Sequence, residues 1–203
     1  LYVLSDEIYS ELTYKTEHVS IASLPGMRER TLVVNGFSKG LAMTGWRLGY
    51  ICGPQIIMEQ MVKIHQYAIL CAPTNSQYAA IEGLKNCDDE IQKMRTAYNE
   101  RRRYLMHTFK EMGLRCFEPF GAFYVFPNIQ EFGMTSEEFA TELLREEKVA
   151  VVSGKCIWCK WRRIYPNFLR IFIGRFERSA RTGKSFYRKT EKKIEALILL
   201  KKC

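Results

Sequence analysis

The 203-residue chain lacks any apolar run approaching membrane-spanning length; a transmembrane helix needs about 20 mostly apolar residues. Apolar residues still make up 47% of it. The composition therefore excludes a helical membrane protein and predicts a soluble globular one with a sizeable core. No internal repeat is present, so a solenoid is excluded. The chain also lacks an initiator Met and a secretory signal pattern. It opens on LYVLSDEIY, which reads as the inside of a strand and predicts a piece of something longer.

A second CxxC pair is missing as well. Cys156 and Cys159 have the spacing, but a lone pair is weak support for a zinc or redox centre, and no metal site is expected. The other five cysteines, Cys52, Cys71, Cys87, Cys116 and Cys203, mostly stand alone among apolar neighbours, as buried free thiols do. That usage predicts a reducing, cytoplasmic setting.

Charge is unevenly spread. The formal net charge is +9, but residues 155–203 hold 15 Lys and Arg against 3 Asp and Glu. Residues 1–154 hold 16 against 19. Trp158 and Trp161 also fall in the basic segment. So sharp a break marks a boundary.

What is present reads as α/β. YVLSDEIY (2–9), TLVVNGFS (31–38) and WRLGYICG (46–53) are short, mostly apolar β-type runs, as in strands buried on both faces of a parallel sheet. Residues 54–70 and 73–87 have helical patterns, the second with Thr74 or Asn75 as N-cap. Residues 88–113 form a long amphipathic helix with acids first and bases later, closed by Gly113. Residues 114–129 read as two strands around a Pro-Phe-Gly turn. TSEEFATELLREEK (135–148) opens with a Ser/Thr cap and runs as a helix, and VAVVSG (149–154) is a further strand.

Chemistry-bearing residues fall at the strand ends. Asp6 closes the first run, with Tyr9 three residues on; Lys39 follows the second, and Arg47 begins the third. In open α/β sheets, ligands bind outside the carboxyl ends of strands. A lysine there can form a Schiff base with a carbonyl. An arginine can clamp a phosphate, and a carboxylate can keep a ring nitrogen protonated. A lone charged residue at a strand end is more often a solvated surface residue, so spacing alone leaves both readings open.

SDEIY, NGFSKGLAMTGWRLGY and PFGAFYVFP together resemble the class I/II aminotransferases, the fold-type I enzymes that use pyridoxal 5′-phosphate (PLP). The form of the lysine motif is closest to the aspartate and aromatic aminotransferase subgroup. The likeness runs in order and spacing over residues 1–154. It implies part of the large three-layer α/β/α domain, residues 1–87, followed by a connecting helix and part of the small α+β domain, residues 88–154. It implies that Lys39 holds PLP as a Schiff base and later moves the substrate proton. Asp6 would pair with the pyridinium nitrogen. Tyr9 would bond the ring's 3′-oxygen, and Arg47, assisted by Ser38, the phosphate. Many relatives carry Ser or Thr at the position of Gly36, so one phosphate contact is expected to be missing. Gly121 would make a turn in the small domain, with Phe123 and Tyr124 in the core. His18, His65 and His107 take no role and read as surface or helix residues. The resemblance further implies amino-acid and 2-oxo-acid substrates, a homodimer, and no nucleic-acid or membrane partner. The family's glycine-rich phosphate cup, its ring-stacking aromatic and its 3′-oxygen Asn are not found in these residues.

Past Gly154 the likeness changes character. Relatives continue with a pattern like FGxxGEGxxRISYA, whose Arg grips the substrate carboxylate. Here the chain reads KCIWCKWRRIYPNFLRIF. Trp is always TGG, so reading one base later turns Trp158 before Cys159, and Trp161 before Arg162, into Gly. Both fall where the family has Gly, and the code permits the family pattern through most of the segment. Residues 155–203 are therefore expected to be an aberrant basic tail translated out of frame. The alternative is a divergent tail with Arg170 as the carboxylate arginine. A different class also stands open: a non-enzymatic binding protein whose basic tail contacts nucleic acid or acidic surfaces.

Overall fold

The computed structural model describes residues 1–147, 149–154 and 169–172. They divide into two compact units: Leu1–Asn99 with Phe120–Ala122, and Glu100–Pro119 with the described residues from Phe123 onward.

The first unit is built on three strands, β1 (Val3–Asp6), β2 (Thr31–Gly36) and β3 (Gly49–Cys52). β1 and β2 are parallel, in register from Val3↔Thr31 to Asp6↔Val34. β3 runs antiparallel to β2, from Val33↔Cys52 to Gly36↔Gly49. This corrects the all-parallel expectation. The connection holds only the single-turn helix α1 (Phe37–Gly40) and one 3₁₀ turn (Thr44–Trp46), too little to cross the sheet and start a parallel strand. Nor are the strands buried on both faces. Leu4 is 70% exposed and Tyr50 42%, because the described residues leave part of the sheet uncovered. The same openness corrects the cysteine expectation: Cys52 and Cys71 are exposed, while Cys87 and Cys116 are partly buried. Burial pushes the Cys116 thiol up, against a smaller opposing effect of its backbone hydrogen bond with Phe126. Cys156, Cys159 and Cys203 lie outside the described residues.

Helix α2 (Gln55–Ala68) buries no residue, and Ile56, Val62, Ile64 and Tyr67 are exposed. α3 (Thr74–Asn86) buries Ser76, Ala80 and Gly83. Its N-cap is Pro73, without a side-chain cap; Asn75 Oδ1 accepts from the Ser76 N–H at 2.9 Å instead. Phe37, Met43 and Ala80 form a core with Leu41, Leu48 and Ala79 packed on it. Phe120 and Gly121 of the Pro-Phe-Gly turn belong to this unit, while Pro119 belongs to the second. Gly121 bridges Thr13, the Tyr14 N–H donates to Phe120 O at 2.8 Å, and the Ala122 N–H to Leu12 O at 2.8 Å. A Cβ on Gly121 would lie 3.1 Å from Leu12 O, so a side chain there is crowded.

The unit boundary falls inside α4 (Asp88–Glu111), beyond residue 87. The early turns of this helix belong with the sheet: Asp88 and Ile91 line a crevice with Ile8, Phe37 and Tyr50. In the second unit, β4 (Tyr124–Val125), β5 (Val152–Ser153) and β6 (Leu169–Phe172) form an antiparallel sheet in the order β4-β6-β5. The two strands expected in 114–129 shrink to β4 and a bridge between Cys116 and Pro127, since Pro119 and Pro127 have no N–H to donate. α5 (Ser136–Glu147) has the expected capping box. Thr135 Oγ1 accepts from the Glu138 N–H at 3.3 Å, and Glu138 Oε2 accepts from the Thr135 N–H at 2.9 Å. Phe109, Phe123, Val125, Ile129 and Leu143 are buried, so Phe123 packs as expected. Among the described residues, no helix is long and apolar enough to cross a membrane. Apart from residues 169–172, the tail expected to be out of frame lies outside the described residues.

Arg102 is 97% buried by side chain, and its Nη1 donates to Glu118 Oε1 at 2.7 Å and Pro119 O at 3.3 Å. Glu118→Ala should destabilise this unit by about 1–3 kcal/mol, since it takes a carboxylate from a buried guanidinium. Arg115→Ala, which breaks an exposed pair with Glu131 (Nε–Oε1 3.5 Å), should cost under about 1 kcal/mol. Urea midpoints check the contrast.

Candidate active site

Parallel pairing sets the carboxyl ends of β1 and β2 at one edge of the sheet. The antiparallel return sets the amino end of β3 at that same edge. Asp6 is the last residue of β1, Ser38 and Lys39 lie in α1 immediately after β2, and Arg47 precedes β3 by two residues. Tyr9 follows Asp6 in the turn after β1. The eight-residue step from Lys39 to Arg47 is thus a there-and-back loop between the end of one strand and the start of its antiparallel neighbour.

Local packing fixes the lysine turn. Phe37, two residues before Lys39, and Met43, four after, are buried together, and the Met43 N–H donates to Phe37 O at 3.1 Å. Lys39 and Ser38 between them are half-buried. Thr44 Oγ1 donates to Ser38 O at 3.0 Å. Arg47 is not part of a strand: its backbone is left-handed, φ 55° and ψ 46°. That conformation is strained for a residue with a Cβ and persists where surroundings hold it. Two bonds do so. Arg47 Nη1 donates to Thr44 O at 2.9 Å, and Ser76 Oγ, buried on α3, donates to Trp46 O at 2.7 Å. Asp6 is exposed, with its Oδ1 accepting from the Ile8 N–H at 3.2 Å.

Several residues at this edge escape a reading of the sequence. Asn35 Nδ2 donates to Ser10 Oγ at 3.1 Å and ties β2 to the turn after β1. Ser76, in the first turn of α3, is another. Glu7 is 7% exposed, and its carboxylate accepts from Ser20 Oγ at 2.8 Å and Ser5 Oγ at 3.1 Å and pairs with His18 Nε2 at 2.9 Å. His18 is therefore no idle surface residue; the loop after β1 folds it back onto Glu7. Burial alone would raise the Glu7 carboxyl, but the bonds from His18, Ser20 and Ser5, with the charge on His18, bring it below its usual value. A lowered folded-state pKa adds stability above the ordinary carboxylate pKa, and that stability is lost as pH falls through the lowered value. The strand period held one clue: residue 7 alternates with exposed Asp6 and so faces the other way.

Gly36 has a packing reason to be glycine. A Cβ there would lie 2.9 Å from Gly49 Cα and 3.1 Å from Leu48 O, both backbone atoms.

The sequence model of the family "Aminotransferase class I and II" matches residues 1–178. The chain belongs to the class I and II aminotransferase family. It is 57% identical over 152 residues to a putative aminotransferase, YugH, of Bacillus subtilis, covering 75% of this chain and 39% of that protein. It is 49% identical over 160 residues to an aspartate aminotransferase of Pyrococcus abyssi, covering 76% and 40%. The solved aromatic aminotransferase of Pyrococcus horikoshii superposes with a TM-score of 0.85 at 39% identity, over 98% of this chain and 52% of that one. The chain therefore spans about two fifths of the length of these curated relatives. It takes the α/β fold of the fold-type I aminotransferases. The family match passes Gly154 and takes in β6.

Gly36→Ser should destabilise the chain by about 1–3 kcal/mol, the usual cost of overpacking, and should not tighten PLP binding. A lower urea midpoint with unchanged or weaker PLP binding is the expected outcome; a tighter, equally stable variant would show that the position is open.

Proposed function

We propose that this chain carries the lysine side of a PLP-dependent aminotransferase site, whose parent transfers an amino group between an amino acid and a 2-oxo acid in two half-reactions. The observation that carries the reading is the convergence of Asp6, Tyr9, Lys39 and Arg47 at one sheet edge. The donor set fits the cofactor: an amine for its carbonyl carbon, a carboxylate for its ring nitrogen, a phenol for its 3′-oxygen and a guanidinium for its phosphate. Asp6 and Arg47 are exposed at that edge, so a ligand can reach them.

PLP supplies an electron sink for the electron pair released at the substrate Cα. Lys39 Nζ would hold the cofactor at its carbonyl carbon, and the same amine would carry the substrate Cα proton as a general base. Asp6 would hold the proton on the ring nitrogen. Tyr9 Oη would donate to the 3′-oxygen. Arg47, with Ser38 beside Lys39, would orient the phosphate. On the divergent-tail reading, Arg170 of β6 would take the substrate carboxylate; its guanidinium lies 4.7 Å over the Tyr124 ring. On the out-of-frame reading, the true arginine lies in the frame not translated, and sequencing the coding DNA across codons 150–160 separates the two. The parent is read as a cytoplasmic homodimer.

The 203-residue chain itself should bind PLP weakly and transfer no amino group, because its phosphate and ring contacts come from one sheet edge only and catalysis rests on held geometry. A well-folded chain with stoichiometric borohydride-fixed label at Lys39 and real turnover would overturn this. The competing reading, a basic-tail nucleic-acid binder, requires salt-dependent DNA affinity that disappears when residues 155–203 are removed.

Lys39→Ala in the full-length, in-frame parent should lose the borohydride-fixed label and lower turnover by at least about 10²-fold, the lower end for a positioned proton carrier. Turnover within about tenfold of the parent would remove Lys39 from the mechanism.

A further inference from the structure

Glu7 takes no part in the chemistry above, yet it is tied down on every side. Its carboxylate meets three donors, from Ser5, Ser20 and His18, at 2.8–3.1 Å. Its N–H donates to Val34 O at 2.8 Å, which extends the β1–β2 ladder one residue past Asp6. Its carbonyl accepts from the Ser10 N–H at 2.9 Å. Asp6 on one side and Tyr9 on the other are both connected through this one anchored residue.

Burying a carboxylate is costly unless its oxygens are satisfied. Both hydroxyls meet one oxygen, Oε1, and the imidazole meets the other, Oε2, so the cluster needs a two-headed polar side chain at this position. An apolar residue at position 7 would leave two hydroxyls and an imidazole without their acceptor. The arrangement thus fixes a strand end that burial alone would not fix, since Asp6 itself is exposed. Because successive residues of an extended chain face opposite ways, locking Glu7 on one face sets the direction of Asp6 on the other.

We propose that Glu7 is a positioning residue for Asp6: clamped by Ser5, His18 and Ser20, it holds the Asp6 carboxylate at the cofactor edge. The proposal rests on the reading of Asp6 given above. It implies that the loop carrying His18 and Ser20 helps set the geometry at the ring nitrogen without touching the ring.

The test uses the 203-residue chain and two readouts. The first is amide hydrogen exchange at Ile8, whose N–H is bonded to Asp6 Oδ1. The second is the PLP concentration that gives half-maximal borohydride-fixed label at Lys39. Glu7→Ala should speed exchange at Ile8 and raise the half-labelling concentration, each by about tenfold, with unchanged far-UV dichroism. Glu7→Gln should restore both to within about threefold, because its amide oxygen still serves both serines and His18 can change tautomer to accept from the amide. In an Asp6→Asn background, Glu7→Ala should shift labelling by less than about twofold, as expected if Glu7 acts through Asp6. Equal shifts in both backgrounds would mean a general structural role and overturn the proposal, as would unchanged exchange at Ile8. Should Glu7→Ala not fold, His18→Ala and Ser20→Ala each remove one bond and should give smaller shifts in the same direction; no shift in either overturns it. If the unmodified chain takes no label at Lys39, the cofactor reading fails. Exchange at Ile8 then decides by itself whether Glu7 holds Asp6.

Discussion

Everything at the candidate site depends on the close backbone approach of β2 and β3 where they end and begin. Gly36 faces Gly49 there, and a Cβ on either would come within 3.0 Å of backbone across the gap. That contact lets the chain turn back on itself after one helical turn. The reversal brings Arg47 to the edge where Lys39 already stands. Had β3 run parallel, its amino end would lie at the opposite edge, and an arginine there could not share a ligand with the lysine.

The loop between them is held from α3 and from within. Ser76 fixes Trp46, Phe37 and Met43 bury around Lys39, and the strained backbone of Arg47 is kept by its own bond to Thr44. The opposite side of the site is organised differently. Asp6 and Tyr9 flank a buried carboxylate whose partners come from a loop of little regular structure. One half of the edge is thus positioned by apolar packing and the other by a polar cluster. The two respond to different insults, cavity formation in the first and loss of a hydrogen-bond acceptor in the second.

The family assignment, the spacing of the lysine and arginine, and the proline-limited pairing in 114–129 all bear on how the chain is read beyond Gly154. The family match reaches residue 178, and β6 pairs with both β4 and β5. Arg170 stands in that strand opposite Val152. This gives the divergent-tail reading a structural place, while the two tryptophans that become glycine in the next frame remain the support for the other.

Local features were legible in the residues: the helices after Gly53 and Cys87, the Thr135–Glu138 capping box, and the motif holding Lys39. Each is set by neighbours a few residues apart, through propensity, capping and covalent spacing. What the sequence could not decide was the direction of β3, the return of Gly121 to pair with Thr13, the burial of Glu7, and the partners of His18 and Ser76. Those depend on which segments distant in the chain come to lie side by side. A strand pattern is the same whether the strand runs parallel or antiparallel, and a Glu, His or Ser looks like surface until a folded loop surrounds it. The sequence by itself determined which residues are candidates for the chemistry; only the tertiary structure decided which of them stand at one edge, because that rests on strand direction and long-range hydrogen bonding, which no local pattern encodes.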